Sequence, residues 1–108
     1  MPMRSIEFHI LLALSGDERH GYGILQEVAR LTDDELRLEA GTLYRALHRM
    51  LKDGWIAESG RRPAADLDDE RRRYYRLTPL GRRVARAEAT RLSRLVATAR
   101  AHRLVTRA

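Results

Sequence analysis

The sequence predicts a mainly α-helical chain with one small β-hairpin, and three observations carry that reading. The first half holds three stretches with apolar residues at helical spacing. After Gly54 the period changes, and two short aromatic and β-branched runs flank a loop containing Pro63. From Thr78 almost to the end, nothing breaks a helix.

The first stretch has Ser5 as its expected N-cap and runs from Ile6 to Leu14, where Gly16 stops it. On a helical wheel Ile6, Ile10, Ala13 and Leu14 share one side, while Phe8, Leu11 and Leu12 share another. A helix apolar on two sides is covered on two sides. In so short a chain the second side is expected to meet another subunit. Gly16 to His20 reads as a polar turn, and Gly21-Tyr22-Gly23 leads into a second helix, Ile24 to Leu31, ended by Thr32-Asp33-Asp34. A third helix, Ala40 to Asp53, lines up Leu43, Leu47, Met50 and Leu51, with Gly54 where a left-handed C-cap is wanted.

Trp55 to Glu58 and Arg73 to Leu77 then form the two strands of the hairpin, joined by a loop from Ser59 to Arg72. Thr78-Pro79 gives the last helix a hydroxyl N-cap and Pro at its first position. About 25 residues at helical rise make it ~38 Å long, too long to bury itself on one small domain. The order is that of a winged helix-turn-helix with an added C-terminal helix. The expected division is residues 1–78 for the winged unit and residues 79–108 for a dimerisation helix.

Charge is unevenly spread over the 108 residues. The chain carries 21 Lys+Arg and 15 Asp+Glu, a net of +6. Residues 1–70 hold nine bases and fourteen acids, whereas residues 71–108 hold twelve bases and only Glu88 as an acid. Such asymmetry points to a polyanionic partner, nucleic acid or an anionic membrane. On the third helix the side opposite the apolar stripe carries Arg45, His48, Arg49 and Lys52, with Gly41 and Thr42 near its start and Tyr44 on its flank. Arg and Lys neutralise phosphates, and Arg also makes paired hydrogen bonds to guanine. A third helix placed before a hairpin is the one that enters the major groove of double-stranded DNA in this architecture.

Other chemistries find little support. The chain has no Cys, which removes disulfides, thiolate nucleophiles and thiolate metal sites. His9, His20, His48 and His102 lie in different elements without metal-ligand spacing, so no metal or cofactor is expected. The serines have no evident base and no phosphate loop is present, so no enzyme is expected. The longest apolar run, Ile10 to Leu14, falls far short of the roughly 20 residues that cross a bilayer. The expected setting is the cytoplasm.

Taken in order, His20-Gly21-Tyr22-Gly23-Ile24, Gly41-Thr42-Leu43-Tyr44-Arg45-Ala46-Leu47, Asp53-Gly54-Trp55-Ile56 and Tyr74-Tyr75-Arg76-Leu77-Thr78-Pro79-Leu80-Gly81-Arg82 resemble the PadR family of bacterial transcriptional regulators. The resemblance runs from Phe8 to about Arg94. It implies a dimeric winged-helix protein, usually a repressor, whose C-terminal helix packs on that of its partner. It also implies that Thr42, Tyr44 and Arg45 lie in the DNA-reading helix. Release by a phenolic or hydrophobic small-molecule effector occurs in such families. Two departures stand out: Glu39 where a small capping residue such as Ser is usual, and a wing rich in acids.

The interface expected between two copies comprises Phe8, Leu11 and Leu12 of the first helix with Val84, Glu88, Leu92, Leu95, Val96 and Ala99 of the last. Glu88 is expected to pair with an arginine, of its own chain or across the dimer. In the wing, Arg61, Arg62, Arg71, Arg72 and Arg73 are candidates for DNA contact. Asp66, Asp68, Asp69 and Glu70 nearly cancel them, which leaves open a self-neutralised loop that never touches DNA. The rival reading of the whole chain is a basic amphipathic module for a membrane surface or for protein contacts. Its C-terminal helix lacks the Trp or Phe that insertion favours.

Overall fold

The computed structural model describes residues 4–60 and 73–105, which form helices and short strands. Helix α1 spans Ser5–Ser15, strand β1 Arg19–His20, helix α2 Gly21–Leu31 and helix α3 Ala40–Lys52. Strands β2 (Ile56–Glu58) and β3 (Tyr74–Leu77) follow, and helix α4 spans Pro79–Ala101. The fold is mainly helical with a small antiparallel sheet in the order β1-β3-β2. Ile56 faces Leu77 and Glu58 faces Tyr75 across the hairpin, while Arg19 faces Tyr75 on the other side of β3.

Two expectations need correction at the start of the chain. Ser5 is already helical, and the N-cap is the extended Arg4, whose backbone N–H donates to the Glu7 carboxylate at 3.0 Å. The stretch read as a polar turn contains β1, a third strand. Its two residues are too few to show an alternating pattern.

The core is built by α1, α2 and α3 beneath the sheet. Ile10, Leu11, Ile24, Val28, Leu43, Leu47 and Met50 are fully buried. Each such side chain contributes on the order of 1.5–3 kcal/mol. Leu11 is therefore not a surface residue, contrary to its assignment to a dimer face. It lies on the wheel next to Leu14, and β3 and α4 pack on α1 as well as α2 and α3 do. The buried side of α1 widens to take in Leu11, while Leu12 stays exposed and Phe8 half-buried.

Two junctions position α4. Gly54 takes a left-handed φ of +79°, as the end of α3 requires. The Thr78 side chain caps α4 by accepting from the Gly81 N–H at 3.0 Å, and its hydroxyl donates to the Gly54 carbonyl. The Thr78 N–H also donates to the Trp55 carbonyl at 3.1 Å. At Gly81 the helix lies directly on this turn, and any Cβ there would overlap the Trp55 carbonyl oxygen. The start of α4 is thus fastened to the end of α3. Beyond its first half α4 runs free of the core, and residues 93–98 are all exposed. The longest axis of the molecule is 54 Å, against 28 and 21 Å for the others.

Candidate nucleic-acid interface

Helix α3 presents two unlike sides because its apolar residues recur at helical spacing. Leu43, Ala46, Leu47 and Met50 are buried, and the opposite side leaves Gly41, Arg45, His48 and Lys52 exposed with Thr42 and Arg49 half-buried. The seven residues assigned to this side from sequence therefore do share one region of α3, with Tyr44 at its edge. Arg45 donates to the Thr42 hydroxyl at 3.3 Å. Among the described residues, Arg45, His48 and Lys52 have no acidic partner. A cationic, hydrogen-bonding strip is left facing solvent.

Helix α2 meets α3 at Gly21, and a histidine caps its start. His20 is the N-cap of α2, its Nδ1 accepting from the Gly23 N–H at 2.9 Å, and its ring meets Tyr74 edge-on with centroids 5.2 Å apart. Gly21 is buried, and an added Cβ there would collide with the Tyr44 hydroxyl. Tyr44 thus packs its tip against α2 at the base of the strip. Sequence reasoning left His20 without a role; its position just before Gly-Tyr-Gly was the available signal.

Glu39 is the N-cap of α3 and makes no side-chain capping bond. Glu39→Ser supplies a capping oxygen, worth on the order of 1 kcal/mol. Loss of the acid from the positive end of the helix offsets part of that gain. A rise of about 2–4 °C in melting temperature is the expected outcome, measured by thermal denaturation.

Of the wing residues, Arg73 is described, and it pairs with Glu58 across the hairpin at 3.3 Å. Arg61, Arg62, Arg71 and Arg72 lie outside the described residues, as do Asp66, Asp68, Asp69 and Glu70. Glu7, which drew no attention in the sequence, is 6% exposed, and its Oε2 lies 3.6 Å from Arg49 Nε.

The residues assigned to a dimer face divide into three groups. Leu11 belongs to the core, and Val84 is half-buried against it. Phe8, Leu92 and Ala99 are half-buried. Leu12, Leu95 and Val96 are open, at 40%, 56% and 40% exposure. A groove between α1 and α4 is lined by Phe8, Leu11, Leu12, Leu77 and Ala85 among others. Glu88 pairs within its own helix, accepting from Arg91 at 2.8 and 2.6 Å. Those hydrogen bonds hold its carboxyl below the usual carboxylate range, against the opposing effect of desolvation.

No group of three metal-ligating side chains occurs among the described residues. None of the described helices is long and apolar enough to cross a membrane.

Residues 10–87 match the transcriptional regulator PadR-like family. A 78-residue stretch is 37% identical to transcriptional regulator Rv3488 of Mycobacterium tuberculosis, covering 72% of this chain and 66% of the relative, just under two thirds of its length. Among solved structures, a PadR family transcription regulator from Clostridium difficile superposes with a TM-score of 0.75 at 24% identity, over 92% of this chain and 98% of the other. Bacillus subtilis PadR in complex with operator DNA superposes with a TM-score of 0.69 at 22% identity, over 82% of this chain and 48% of the other.

Proposed function

The chain belongs to the transcriptional regulator PadR-like family, whose members are regulators and not enzymes, and from that premise we propose that it is a sequence-specific DNA-binding repressor. It acts as a homodimer on an inverted-repeat operator and is released by a small phenolic or hydrophobic effector. The observation that carries the reading is the strip on α3, where Arg45, His48 and Lys52 stand exposed beside Gly41 and Thr42, with no acidic partner among the described residues. Such a strip suits phosphates along a major groove and base edges within it. The structure of Bacillus subtilis PadR in complex with operator DNA supports a DNA partner for the same fold.

Dimerisation accounts for the exposed Leu12, Leu95 and Val96. Two-fold symmetry then sets two α3 helices about one DNA turn apart, roughly 34 Å. The apolar groove between α1 and α4 is the place we assign to an effector, at the edge of the proposed dimer face.

A mobility-shift titration against the DNA upstream of its own coding sequence tests the reading, with anionic vesicles as competitor. Binding that weakens steeply with salt and resists the vesicles is expected. Arg45→Ala is expected to weaken binding roughly tenfold. If Arg45 reads a base, preference relaxes at one position of the half-site; if it holds phosphate, affinity falls evenly over all sequences. Affinity indifferent to salt overturns the proposal.

A further inference from the structure

Glu7 is the one acidic residue among the buried described side chains. Its two oxygens are divided between different tasks. Oε1 accepts from the Arg4 backbone N–H at 3.0 Å, which ties it to the start of α1. Oε2 faces Arg49 Nε at 3.6 Å, across the gap between α1 and α3. Arg49 Nε is itself out of water and has no hydrogen-bond acceptor, yet the Arg49 side chain as a whole is 40% exposed. The guanidinium therefore has an inner edge turned to a buried carboxylate, and the rest of the side chain reaches the surface beside Arg45. A buried charge is costly unless paired. Arg49 is the sole cation that lies within ion-pair distance of Glu7 among the described residues.

We infer that Glu7 is a positioning residue for DNA recognition. It anchors the Nε edge of Arg49, so that the two terminal nitrogens are presented to the nucleic acid in one orientation. The inference rests on the α3 strip being the DNA-reading surface. An arginine reads guanine or grips phosphate through a fixed pair of N–H groups, and a fork held at its inner edge loses less freedom on binding. A carboxylate near DNA otherwise repels it. The sign of the effect therefore separates the two roles: a mere negative charge weakens binding, and its removal strengthens it, whereas a positioning carboxylate does the reverse at the specific site.

The test uses the full chain, the tightest-binding duplex it selects from a random pool, and poly(dI-dC) as non-specific DNA. Glu7→Gln keeps an acceptor for the Arg4 N–H and removes the charge facing Arg49. It is expected to weaken the selected duplex roughly tenfold, with poly(dI-dC) binding unchanged or tighter. In an Arg49→Ala background the same substitution is expected to cause no further loss. Arg49→Lys keeps the charge without the Nε edge, and is expected to lose the selectivity that Glu7→Gln loses; it carries the test if Glu7→Gln does not fold. An equal loss on both DNAs marks a structural role and overturns the inference, as does full selectivity in Glu7→Gln or, should that variant not fold, in Arg49→Lys. A wild-type chain that binds neither DNA overturns the functional reading and this inference together. Wild-type binding with an unaffected Glu7→Gln overturns this inference alone.

Discussion

Gly81→Ala is expected to destabilise the protein by about 3 kcal/mol or more, at the upper end of what overpacking costs. The added Cβ would overlap the Trp55 carbonyl oxygen, a backbone atom that has no rotamer with which to escape. Relief requires the first turn of α4 to lift from the turn after α3. That movement strains three contacts at once: the Gly81 N–H to Thr78, the Thr78 hydroxyl to Gly54 and the Thr78 N–H to Trp55. Ala is the better helix former by roughly 1 kcal/mol, so a purely helical account of this position predicts the opposite sign. A melting temperature lower by at least ~12 °C is the expected reading in thermal denaturation. An unchanged or higher value would show that α4 does not sit on Trp55 as described.

Leu95→Asp is expected to separate the subunits while leaving the fold of each intact. Leu95 is 56% exposed in the single chain, so a carboxylate there remains hydrated and costs the isolated fold little. At a packed interface between two copies the same carboxylate has no partner and is costly. Light scattering is expected to show the wild type at twice the monomer mass and the variant at the monomer mass. Its circular dichroism spectrum is expected to be unchanged. Affinity for an inverted repeat is expected to fall roughly 100-fold or more, because the second half-site is no longer held at high effective concentration. Affinity for a single half-site is expected to stay near that of one wild-type subunit. A wild type that is monomeric at micromolar concentration overturns the homodimer.

Much of this fold was legible in the sequence because its signals are local. The spacing of Leu43, Leu47 and Met50 defined α3, and Gly54 marked its end through a backbone conformation that glycine adopts most easily. Thr78-Pro79 marked the start of α4 to the residue. What escaped was set by contacts distant in the chain. Strand β1 exists because Arg19 and His20 find β3 more than fifty residues later, and two residues carry no pattern of their own. Leu11 looked free on a wheel that knows nothing of β3 and α4 closing over its flank. Glu7 went unremarked, because its distance to Arg49 from the first turn of α1 is visible only once α1 and α3 are packed.

The fastening of Thr78 and Gly81 to Gly54 and Trp55 turns α4 into a lever whose short end is α3, the helix we propose to read DNA. No slack hinge lies between them. In a dimer joined along α4, any change in the crossing angle of the two arms passes undamped to the reading ends. A rotation of about 5° along an arm ~34 Å long displaces its far end by about 3 Å. One step along a DNA strand is 3.4 Å. Small adjustments in how two arms cross are therefore commensurate with the ruler by which operators are spaced, and half-site separation becomes a quantity tuned far from any base.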